Sequence, residues 1–186
     1  MGFATSSRLL DDRGAGSYFF SLSNSNTCLG NISSSEYSAL EDLYNSTDGA
    51  HWLWHNNLNQ SAQQWVFPSS LSAPCEDQWQ GITCGVVSVS PGSGDTCCII
   101  ALDLTLTNLR GRLPSSLGSL SHLEILRMQF NFLTGFIPSV LGGLSSLTVL
   151  SLYSNCLMGT TPSELGNLSS LTQLYLYRSQ SPTRAG

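Results

Sequence analysis

The chain has 186 residues, enough for one domain, with no Lys and a formal net charge of −5. Its Arg residues form no basic stripe, so nucleic acid is excluded as a partner. No run of about 18 apolar residues occurs, so any membrane link is expected only through a segment missing from this chain.

Residues 1–32 are rich in Ser, Gly and Asn and read as a disordered N-terminal segment. Tyr18 to Leu22 is its one apolar stretch, too short for the core of a signal peptide. Residues 33–98 read as a separate cap. Ser33 and Glu36 have the spacing of a capping box. Tyr37, Ala39, Leu40, Leu43 and Tyr44 follow at helical spacing, and a turn-forming run at Asn45–Gly49 ends the helix. Trp52, Trp54, Trp65 and Trp79 then crowd a short stretch, and Cys75 and Cys84 close it. Val86, Val87 and Val89 precede a turn cluster at 91–95, which predicts a hairpin running into Cys97 and Cys98. Adjacent strand residues face opposite ways, so at most one of these two Cys is expected to face the core.

Residues 99–178 carry a 24-residue period. Leu102, Leu126, Leu150 and Leu174 keep it, as do Gly111, Gly135 and Gly159, and Pro114, Pro138 and Pro162. A period of this length predicts a solenoid whose units bury their apolar sides against each other. Within a unit, Leu126 and Met128 alternate with Arg127 and Gln129, the pattern of a strand. Thr107, Asn131 and Asn155 hold one column after the strand, where stacked side chains can bond turned backbone as a ladder. Gly135 supplies a turn, Ser139 is placed to cap a short helical turn, and Leu141, Leu144 and Leu147 return to one inward face. After Arg178 the pattern stops. The non-repeat tail 179–186 is expected to leave the fourth unit uncapped, as in a fragment of a longer array. Marginal stability and self-association through that end follow.

The units read Leu-x-x-Leu-x-x-Leu-x-Leu-x-x-Asn-x-Leu-x-Gly-x-Ile-Pro, best at 123–147, and resemble plant-type leucine-rich repeats. The first unit departs with Thr107 for Asn, and the third with Thr161 for Ile. The helix, the Trp-rich stretch and Trp79-x-Gly81-Ile82-x-Cys84 resemble the N-terminal cap of such ectodomains. The resemblance implies an α/β solenoid with a parallel concave sheet, 3-10 or helical turns on the convex side, and a cap with helix and hairpin. It also implies that the Trp side chains plug the solenoid end and that Cys75 pairs with Cys84. The nine-residue separation suits a short loop and an oxidising compartment. The pairing of Cys28, Cys97, Cys98 and Cys156 stays open.

The functional expectation is a recognition module, receptor-like and extracellular or at the cell surface, binding protein, peptide or glycan on the concave face. The alternative is a structural or adhesive surface-coat protein. The outward columns hold Asp103, Thr105, Leu106, Arg127, Gln129, Phe130, Ser151, Tyr153, Ser154, Tyr175, Tyr177 and Arg178. Among them Arg127, Gln129, Phe130, Tyr153, Tyr175, Tyr177 and Arg178 are the partner-binding candidates, since aromatics and Arg dominate binding hot spots. Phe130, Tyr153 and Tyr177 are expected to form an aromatic stripe. Asn31, Asn45, Asn59 and Asn167 are glycosylation candidates by sequon. His51, His55 and His122 have no acid or nucleophile placed to form a relay, so no catalysis, cofactor or metal is expected.

Overall fold

A computed structural model of the chain describes Cys28 and residues 31–54, 63–67, 74–87 and 96–176. Helix α1 (Ser34–Ser46) starts with the full capping box. Ser33 Oγ accepts from the Glu36 backbone N–H, and the Glu36 carboxylate accepts from the Ser33 N–H. Ala39, Leu40 and Leu43 lie on its buried face. Thr47 ends the helix, its hydroxyl donating to the Leu43 carbonyl at 2.6 Å. Glu36 does more than cap. It is buried and accepts the Ile99 N–H at 3.0 Å, fastening the helix start to the hairpin.

That hairpin joins β1 (Ile82–Val87) to β2 (Thr96–Asp103) antiparallel. β2 then pairs in parallel with β4 (Ile125–Arg127), β4 with β6 (Val149–Ser151), and β6 with β8 (Gln173–Tyr175). Leu102, Leu126, Leu150 and Leu174 are in register, so the sequence period is the strand spacing of this sheet. The 3-10 turns Ser115–Ser119, Ser139–Gly143 and Ser163–Asn167 return the chain on the other side. Their Leu117, Leu141 and Leu165 are buried, as are Leu120 and Leu144. Ser139 is the first residue of its turn and caps nothing. Each of these turns begins after Pro, with no side-chain cap, because the extended Pro backbone alone sets the entry.

A second parallel sheet escapes the pattern reading: β3 (Arg110–Arg112), β5 (Phe132–Gly135) and β7 (Cys156–Leu157). It lies where the chain leaves the concave strand, and it keeps Phe132, Phe136 and Met158 exposed. The Arg110 guanidinium sits 5.0 Å from the Phe132 ring centre. Gly111, at φ +127°, lets β3 approach the helix end. A Cβ there would meet the Ser46 carbonyl oxygen.

The core is one cluster running from the cap through the repeats. Trp52, Trp65 and Trp79 are buried at the cap end, with Trp65 and Trp79 stacked at 5.6 Å. The Trp52 indole donates to the Thr47 carbonyl and the Trp65 indole to Gln80, so neither buried N–H is left unpaired. Cys28 and Ile32 fall in the segment expected to be disordered, yet both are buried, and Cys28 is bridged to Cys97. Cys75 is bridged to Cys84. Of the two adjacent Cys only Cys97 joins the main core, in line with the expectation that at most one faces it; Cys98 is buried on the other face of β2. Residues 1–27 and 177–186, with His55, Asn59, Tyr177 and Arg178, lie outside the described residues.

Candidate partner-binding face

Asn131 organises the turn that leaves the concave strand. Its amide donates to the carbonyls of Leu104 at 2.7 Å and Met128 at 3.1 Å, and its oxygen accepts the Leu109 N–H at 3.0 Å. Asn155 repeats this one unit on, bonding Met128, Leu152 and the Leu133 N–H. Thr107, shorter, donates only to the Leu104 carbonyl. These bonds let buried backbone turn sharply without losing its partners. The residue before each ladder position is held in the left-handed region: Leu106, Phe130 and Ser154 have φ of 60°, 57° and 53°. For a bulky residue that conformation is costly, and here it fixes where the Phe130 ring stands.

Phe130 meets Tyr153 edge to face at 4.9 Å and 74°. Tyr153 meets Tyr175 at 6.1 Å and 65°. The three rings form a diagonal row across successive strands, one from each repeat. Phe130 is 42% and Tyr175 51% exposed, while Tyr153 between them is half-buried. Tyr175 is the third ring of this row, and Tyr177, expected in the stripe, lies outside the described residues. Beside the row, the Arg127 guanidinium lies 3.8 Å from the Asp103 carboxylate. The Asp103 carboxylate also accepts from the Thr105 backbone. Gln129 Oε1 and Ser154 Oγ are buried and have no hydrogen-bond partner.

Ser151 was expected to face outward but is only 3% exposed. It pairs laterally with Arg127 on one side and Tyr175 on the other, and the two long side chains overshadow the small one. Asn31, Asn45 and Asn167 are exposed, Asn167 on the last convex turn. His51 is exposed and bonds Asp48 at 2.7 Å, and His122 is exposed beside Ser121. Among the described residues no group of His, Cys, Asp or Glu is arranged to hold a metal.

Comparison with known proteins fits this architecture. Residues 121–180 match the leucine rich repeat family model. A nodulation receptor kinase of Pisum sativum is 32% identical over 79 residues, spanning 42% of this chain and 8% of that protein. The leucine-rich repeat ectodomain of the receptor kinase SOBIR1 from Arabidopsis thaliana superposes with a TM-score of 0.61 at 22% identity, over 79% of this chain and 68% of that one. The BIR3–SERK2 complex from the same plant gives a TM-score of 0.54 at 30% identity, over 74% of this chain and 65% of that one. The fold of this chain is the leucine-rich repeat solenoid, and residues 121–180 are similar to leucine-rich repeats in sequence as well.

Proposed function

We propose that the chain is a non-catalytic recognition module that binds a protein or peptide partner on its concave sheet. The carrying observation is the exposed row Phe130–Tyr153–Tyr175, flanked by Arg127 and Asp103. Aromatic side chains ordered by their neighbours offer large contact area at low entropic cost, which is the chemistry of hot spots. The rings are tilted 74° and 65° to their neighbours, so they do not form the one flat platform on which a sugar ring would stack. The similar BIR3–SERK2 structure is itself a complex, which supports a protein partner.

Two disulfides favour an oxidising, extracellular setting. No helix among the described residues is long and apolar enough to cross a membrane.

The test is selection of binders from a random peptide display library on the whole chain, followed by titration. The double change Phe130→Ala, Tyr153→Ala should weaken the selected peptides by about 30-fold or more, the effect of losing a hot spot. The convex pair His122→Ala, Ser146→Ala should leave affinity within about twofold. The reverse ranking would move the site off the concave face.

A further inference from the structure

The sulfurs of Cys28 and Cys98 approach one carbonyl oxygen of the cap. Cys28 Sγ, bridged to Cys97, lies 3.4 Å from the Gly85 carbonyl oxygen. The Cys98 thiol donates to that same oxygen at 3.6 Å. Cys98 is buried and carries no bridge. Gly85 is its cross-strand partner on β1, and the Ile100 side chain packs where a Gly85 side chain would stand. A nucleophilic thiol is thus enclosed with a disulfide that its chain neighbour forms.

We propose that this cluster is a thiol–disulfide exchange site in which Cys28 is bridged alternately to Cys97 and to Cys98. The step needs no oxidant. The Cys98 thiolate attacks Cys28 Sγ, the Cys28–Cys97 bond breaks, the Cys28–Cys98 bond forms, and Cys97 leaves as thiolate and takes up the proton that Cys98 released. Adjacent strand residues lie on opposite sides of β2, so the exchange shifts the tether of the segment at Cys28 and Ile32 from one side of the strand to the other.

The surroundings hold the site at rest. Burial raises the Cys98 pKa above the ordinary thiol value, with the Glu36 carboxylate on α1 and that of Glu124 before β4 adding to it, against the hydrogen bond to Gly85. The attacking thiolate is therefore scarce at neutral pH, and exchange should quicken as pH rises.

The experiment is non-reducing peptide mapping of the full chain after acid trapping of free thiols. Incubated under nitrogen at pH 7 and pH 9.5, the wild-type chain should gain the Cys28–Cys98 peptide, about a hundredfold faster at the higher pH, as the thiolate fraction rises. The Cys97→Ser variant, folded with oxidised glutathione as the oxidant, should carry Cys28–Cys98 beside an intact Cys75–Cys84 bridge. Wild-type protein that keeps only Cys28–Cys97 after the pH 9.5 incubation would overturn the proposal, whether or not the variant folds. So would a folded variant with Cys28 and Cys98 both free.

Discussion

Asn131 concentrates several obligations in one side chain. It serves carbonyls of two neighbouring repeats and a buried N–H, so its loss strands the Leu109 N–H, while the Leu104 and Met128 carbonyls keep their bonds from Thr107 and Asn155. A stranded buried N–H costs about 1–3 kcal/mol, and each bond lost to a carbonyl adds about 1 kcal/mol. Asn131→Ala should therefore destabilise by about 3 kcal/mol or more in urea unfolding, and Thr107→Ala, with its single bond, by about 1 kcal/mol. Equal losses would show that the ladder does not carry the turn. The ladder positions are legible in the sequence because the same column recurs at a fixed period. The burial of Ser151 is not, since it depends on the lengths of Arg127 and Tyr175 in neighbouring strands. Leu106 tests backbone strain apart from packing. It is exposed and left-handed, so Leu106→Asn should stabilise by about 0.5–1 kcal/mol, read as a raised urea midpoint. An unchanged or lowered midpoint would mean that the strain is not felt there.

Among the elements, α1 shows where sequence reading succeeds and where it stops. Its start is set by groups three residues apart, and the capping box announces it. The Glu36 bond to Ile99 spans 63 residues and leaves no local mark. Glu36→Ala should thus cost about 2–3 kcal/mol, more than the roughly 1 kcal/mol of losing a cap alone, because the buried Ile99 N–H is also stranded. A cost equal to that of Ser33→Ala would assign the whole effect to the cap. The second sheet stayed hidden for another reason. Its strands Arg110–Arg112, Phe132–Gly135 and Cys156–Leu157 carry Gly and polar residues at different places and share no apolar–polar alternation. The cap aromatics were readable as a plug by their crowding, but not their ring geometry, which depends on α1 and on the Cys75–Cys84 loop holding Trp79. Trp79→Ala should cost about 3–5 kcal/mol.

At the scale of the molecule, protection should fall along the solenoid. Leu126 and Leu150 are fully buried between flanking strands, whereas Leu174 on β8 is 45% exposed. Amide exchange should be slowest around β4 and β6 and fastest around β8. Uniform protection through Tyr175 would mean that something covers that edge. The solenoid also presents the concave face as a single surface. Parallel strands in register set one ring from each repeat beside the next, and the turns keep those rings clear of the core. Whether that surface is where a partner sits is answered most directly by hydrogen exchange of the whole chain with and without the tightest selected peptide. Exchange should slow in residues 125–131, 149–155 and 173–176, with residues 115–119, 139–143 and 163–167 unchanged. Slowing confined to those convex turns would put the partner on the other side of the solenoid.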